Sequence, residues 1–206
     1  MKKIELVYRE ILYRVIEKKL FSFTQSELSR KLDISLSIIN LAVKKLRDMG
    51  SVKVSLRSFS IIDFKKILYY WASIRNLSKD IIFSARLEMP VREIERCMPN
   101  GVIYTAYSAY KFAFKDVPAD YSEVYVYANE KELEIVEKRI TTHQKFLSGI
   151  KKPNFFILKK DDLIEIYPSL PLAQIFVDLW NLSEWYAKDF IREFEERFNK
   201  IIGGAF

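Results

Sequence analysis

One cysteine, Cys97, and one histidine, His143, occur in 206 residues. A lone cysteine excludes an internal disulfide and any cluster built from several cysteines of the chain, and a lone histidine argues against a zinc site built on imidazoles. Five glycines leave little room for a glycine-rich phosphate loop. Proline is missing before residue 90, where Gly50 is also the single glycine. No apolar run approaches the ~18–20 residues that a membrane span needs. Met1-Lys2-Lys3-Ile4-Glu5 enters a charged amphipathic pattern rather than a uniform apolar core. The expectation is a cytoplasmic protein with no membrane partner and no cofactor.

Half of the residues are hydrophobic and 15% are aromatic, the balance of a folded chain rather than a disordered one. The net charge of +7 is unevenly placed. Residues 1–66 hold 15 Lys and Arg against 7 Asp and Glu, a balance of +8, whereas residues 67–206 hold 19 against 20, a balance of −1. Concentrated positive charge favours association with a polyanion, because each neutralised phosphate releases condensed counterions.

The most informative stretch is Thr24 to Ile62. Thr24-Gln25-Ser26-Glu27 has the form of a capping box opening a helix at about Gln25 to Leu32. Asp33-Ile34-Ser35 follows as a turn, with Ser35 suited to N-capping. Ile39, Ala42, Val43 and Leu46 then recur at the spacing of one buried helical face. Gly50 stands where a helix end favours positive φ. Val52 to Ser55 and Phe59 to Ile62 alternate as two strands around Leu56-Arg57-Ser58. Helix, turn, helix and hairpin in that order predict a winged helix-turn-helix, preceded by a first helix over about residues 3–20 whose Glu and Lys face away from its apolar stripe.

With the apolar positions turned inward, Ser37, Asn40, Lys44 and Lys45 face outward with Leu36 and Leu41. Asn40 has the chemistry for a bidentate contact to adenine, and Ser35 and Ser37 for bases or phosphates. Lys44, Lys45 and Arg47 lie where a recognition helix runs beside phosphates, and Lys53 and Arg57 put charge on the wing. The expected partner is double-stranded DNA, read by a homodimer. Exposed Leu36 and Leu41 leave open an alternative, a protein-interaction module of a larger complex with weak DNA binding.

Charge and punctuation both change near residues 64–80, so the chain divides into residues 1–66, a linker helix over 67–79, and residues 80–206. Asp63 to Leu77 has helical spacing, and its Tyr69, Tyr70 and Trp71 suit an interface more than base stacking. Thereafter strands and helices alternate: strands at 80–87, 101–104, 122–128, 154–159 and 162–166, helices at 90–98, 105–114 and 130–141, then helices from Leu172 and from a cap at Ser183. The fold class is therefore α/β (α+β): a winged helix-turn-helix followed by a small mixed domain ending in helices. Asp116, Asp120 and Glu123 would be the acids of a divergent nuclease or nucleotidyltransferase. The spacing of neither motif surrounds them, so catalysis is not expected.

Gly101-Val102-Ile103-Tyr104-Thr105-Ala106-Tyr107-Ser108-Ala109, the strand Glu123 to Ala128, and Leu172-Ala173-Gln174-Ile175-Phe176-Val177-Asp178-Leu179-Trp180 occur in that order. Across residues 80–198 the second part resembles the C-terminal domain of the AbiEi family, the antitoxins and autorepressors of type IV toxin–antitoxin systems. The resemblance implies a transcriptional regulator that represses its own operon and has a cognate toxin as a possible partner.

Overall fold

Apolar spacing sets the first half of the chain. The computed structural model describes residues 1–143 and 152–203. Helix α1 spans Lys3–Ile16, strand β1 Ser22–Phe23, α2 Gln25–Leu32, α3 Leu36–Asp48, β2 Val52–Val54 and β3 Phe59–Ile61. Ile39, Ala42, Val43 and Leu46 are buried on α3 as their period requires. Gly50 takes φ +69° just past the end of α3, and the Ser51 amide closes back on the Leu46 carbonyl at 2.9 Å. The Ser55 amide donates to the Ser58 carbonyl at 2.8 Å, setting the hairpin between β2 and β3.

The sequence reading missed β1. It pairs antiparallel with β3, Phe23 opposite Phe59, so the small sheet has three strands in the order β1-β3-β2. Two residues are too few for alternation to register. Helix α1 stops four residues before its expected end: Lys19 turns left-handed at φ +56° and the Leu20 amide reaches the Arg14 carbonyl at 2.9 Å. Only half of the capping box forms. The Glu27 amide donates to Thr24 Oγ1 at 3.1 Å, while the Glu27 carboxylate turns to the Arg14 guanidinium.

Helix α4, Phe64–Ile74, is capped by Asp63, which accepts from the Lys66 amide at 3.1 Å. Arg75 leaves it in extended conformation, so the helix ends three residues earlier than its spacing suggested, and a 3-10 turn follows at Leu77–Asp80. The remaining elements are β4 Ile81–Ala85, α5 Val91–Cys97, β5 Ile103–Thr105, α6 Ala106–Phe114, β6 Val124–Ala128, α7 Glu130–His143, β7 Phe155–Lys159, α8 Leu172–Trp180 and α9 Ala187–Ile202. The second sheet has the order β4-β7-β6-β5, with β6 and β7 parallel through α7 and both edge strands antiparallel. Mixed α+β architecture with two sheets is thereby established. Val124, Val126 and Ala128 point to the layer holding α5 and α7, and Tyr125 and Tyr127 to the layer holding α6 and α8. Covered on both faces, β6 is buried at every position.

Two expectations in this half fail locally. Residues 162–166 form no strand: Ile164–Ile166 is a 3-10 turn, steered by Asp161, whose side chain accepts from the Leu163 amide at 3.1 Å. Ser183 does not cap α9, which begins at Ala187 with no side-chain cap, and the Glu184 carboxylate pairs instead with Lys152 at 2.7 Å.

The larger departure concerns α1. The sequence sets Glu and Lys on the face opposite its apolar stripe, yet Glu5, Arg9, Glu10 and Arg14 are all buried. Arg9 donates to both oxygens of Asp161, at 2.7 and 2.8 Å, and to Gln174 Oε1 at 3.0 Å. Tyr167 donates to Glu10 at 2.8 Å, and the Trp71 indole donates to Glu5 at 3.3 Å. Helix α1 is therefore packed on α3 and α4 on one side and α8 on the other, inside one apolar core that runs from Leu6 to Ile202. Packing does not lapse over residues 67–79: Tyr69 lies edge-on to Phe176 and Trp180.

Candidate nucleic-acid interface

The eight residues singled out for DNA all lie on or beside the outer face of α3 and on the hairpin. Ser35, Ser37, Asn40, Lys44, Lys45, Arg47, Lys53 and Arg57 are exposed. Ser35, Ser37, Asn40, Lys44, Lys45 and Arg47 belong to α3 or its N-cap, and they are turned outward because Ile39, Ala42, Val43 and Leu46 fill the inner face. Lys53 is on β2 and Arg57 in the turn after it.

Their polar contacts differ. Ser35 occupies the N-cap position of α3, but its hydroxyl makes no cap bond and lies 3.0 Å from the Ser37 hydroxyl. The expected capping by Ser35 is therefore absent, and both hydroxyls stay at the surface beside the helix start. Asn40 Nδ2 donates to Gln25 Oε1 on α2 at 3.3 Å, a contact that spans 15 residues and left no trace in local spacing. It steadies the amide without burying it. Arg47 pairs with Asp48 at 3.1 Å, with both side chains about half exposed, so water and salt screen the pair and a phosphate can compete for the guanidinium. Lys44, Lys45, Lys53 and Arg57 make no ion pair among the described residues. Their charge is not cancelled locally.

Apolar side chains interrupt this surface. Leu36 and Leu41 are 52% and 50% exposed, and Leu56 at the hairpin tip is 98% exposed. The sequence pattern marks Leu56 only as part of the loop. An apolar residue at the tip of an otherwise polar turn was the available signal.

Two of the three acids that would serve catalysis, Asp116 and Glu123, are separately engaged. Asp116 faces Arg197 at 3.5 Å, and buried Glu123 accepts from the Ser122 hydroxyl at 3.0 Å and from the Tyr186 hydroxyl. Asp120 is exposed. Among the described residues, no group of three or more His, Cys, Asp or Glu stands close enough to hold a metal ion. Cys97 is half-buried, and the His143 side chain lies outside the described residues. Among the described residues, no helix is long and apolar enough to cross a membrane.

Apart from this surface, a polar centre that the sequence did not announce joins α4, α8, β5 and β6. Asp178 on α8 is fully buried and accepts from Tyr127 Oη at 2.6 Å, Thr105 Oγ1 at 2.7 Å and Arg75 Nε at 3.4 Å. Arg75 also pairs with Asp80 at 2.5 Å and lies 3.7 Å from Glu5. Burial pushes the Asp178 carboxyl above its ordinary range, while Arg75 and the two hydroxyl donors oppose that rise. The same burial, with the Asp178 charge beside it, pushes the Tyr127 phenol well up. This cluster ties α4 and α8 to β5 and β6.

Compared with known proteins, the chain matches no family model, no curated protein and no solved structure.

Proposed function

We propose that residues 1–62 form a winged helix-turn-helix and that the chain is a DNA-binding transcriptional regulator. One observation carries this reading: the outward side of α3 gathers Ser37, Asn40, Lys44 and Lys45 next to a hairpin bearing Lys53 and Arg57, in the segment that holds all the excess positive charge. Helix α3 enters the major groove, where Ser37 and Asn40 meet base edges. Ser35, Lys44, Lys45, Arg47, Lys53 and Arg57 hold phosphates on either side. The likeness of residues 80–198 to the AbiEi family extends the proposal to an autorepressor whose second part holds a cognate toxin. Asp116 and Glu123 serve as structural partners in this reading, and Asp120 as a surface acid.

The test is a binding titration on the DNA upstream of the protein's own gene, beside an unrelated duplex, at two salt concentrations. Tighter binding to its own upstream DNA that weakens steeply with salt is expected. Equal, weak binding to both would sink the regulator. A second reading, a protein-contact module, is favoured by the exposure of Leu36, Leu41 and Leu56. It predicts weak binding that ignores sequence.

A further inference from the structure

Three tryptophans occur in the chain, and they divide sharply. Trp71 is fully buried, whereas Trp180 is 44% and Trp185 75% exposed. The two exposed rings stand on one groove of about 480 Å³, where the end of α8 meets the flank of α9, with Leu182 and Ile191 beside them. Trp180 is held in place, stacked on Phe176 at 6.1 Å and edge-on to Tyr69 at 5.3 Å. A rigid aromatic already ordered at the surface loses little freedom on association, which is why such residues anchor interfaces.

We propose that this groove is the two-fold interface through which two copies of the chain form a dimer. The distribution of charge selects a second copy as the occupant. Lys188, Ile191, Arg192 and Glu195 recur at helical spacing along the flank of α9 that lines the groove. The flank is basic at its start and acidic at its end. A patch of one sign calls for a partner of the other sign, whereas this flank of α9, with the preceding Glu184 already paired to Lys152 at 2.7 Å, carries both signs at separate ends and complements itself when turned by a two-fold axis. Antiparallel approach of α9 on α9, centred between residues 192 and 195, sets Arg192 of each copy against Glu195 of the other. Glu195 is steadied for that role by the Tyr69 hydroxyl, which donates to one of its oxygens. Among the described residues, Arg192 is committed only to a solvent-accessible pair with Asp189 at 3.0 Å. Two acids, Glu184 and Glu195, balance Lys188 and Arg192 in the groove, so it carries no excess of positive charge to draw a nucleic acid.

Sedimentation velocity of the full chain over a range of concentrations tests this without DNA, so its failure leaves the DNA-binding reading standing. A dimer is expected, and Trp185→Ala and Arg192→Glu should each raise its dissociation constant about tenfold or more. Both side chains are at the surface, so far-UV circular dichroism should be unchanged in both. Arg192→Glu combined with Glu195→Arg in the same chain should restore association, because the swapped charges face one another again. A monomer at every concentration would overturn the proposal, as would a dimer indifferent to both single substitutions. A charge swap that fails to restore a dimer broken by Arg192→Glu would overturn the two-fold pairing.

Discussion

Glu17 shows how a single buried carboxylate can govern the response to pH. It follows α1 and reaches across to α8, where one oxygen accepts the Leu172 amide at 2.8 Å and the other is buried with no hydrogen-bond partner among the described residues. Burial pushes its carboxyl up to about 7, against the lowering pull of the Leu172 amide and of Lys18 and Lys19. The folded state therefore binds a proton that the unfolded chain releases near its ordinary value. Stability from this group is complete below the unfolded pKa of 4.5 and is lost as pH rises through about 7. The size of the loss is of order 3 kcal/mol, from about 1.4 kcal/mol per unit of pKa. Glu17→Gln keeps an oxygen for the Leu172 amide and cannot ionise. Urea unfolding at pH 5 and pH 8 should find the variant gaining on the native chain by about 2 kcal/mol at the higher pH. An equal difference at both pH values would show that Glu17 is not the group responsible.

At the scale of elements, α3 and the hairpin were legible because each obeys a local rule. Ile39, Ala42, Val43 and Leu46 state the inner face by period, and Gly50 states the end by its freedom at positive φ. Strands β6 and β7 were legible for a related reason, as short runs rich in Val, Ile and aromatics bounded by turn residues. What stayed hidden rests on distant partners. The contact of Asn40 with Gln25, the pairing of β1 with β3, and the burial of Arg9 against Asp161 each join residues whose meeting no local pattern encodes. Legibility also has a functional side, since the outward face of α3 is defined by subtraction from the inward one. If Lys44 and Lys45 lie beside phosphates, replacing both with Ala removes two counterion-releasing contacts. The log–log slope of affinity against salt should then flatten by about two units, with preference among sequences nearly kept. Fluorescence-anisotropy titrations of the double variant from low to moderate salt measure this directly. An unchanged slope would place those lysines off the DNA.

For the whole molecule the decisive element is α1, whose sequence looks like an ordinary surface helix with a charged side. Its Glu5, Arg9, Glu10 and Arg14 instead find Trp71, Asp161, Tyr167 and Glu27, three of them more than sixty residues away. An amphipathic period reports which residues are apolar, but a charged face can be buried whenever another part of the chain supplies opposite charges and donors in register. Buried ions without those partners are costly: breaking one buried pair typically loses about 3–5 kcal/mol, more than the pair itself contributes over an apolar replacement. A fragment of residues 1–79 would strip Asp161, Tyr167 and Gln174 from α1 and uncover the apolar side of α4 that meets α8. Water would reclaim the charges, while Phe64 would lose Phe198 and Tyr69 would lose Phe176 and Trp180. The fragment is therefore expected to lack a cooperative urea transition, and the intact chain to unfold in one step. Tryptophan fluorescence, reporting chiefly on α4 and the corner of α8 and α9, should coincide with circular dichroism, reporting on all helices. Separated transitions, or a fragment with its own sharp midpoint, would mean that the two parts stand alone and that the charged face of α1 tolerates water.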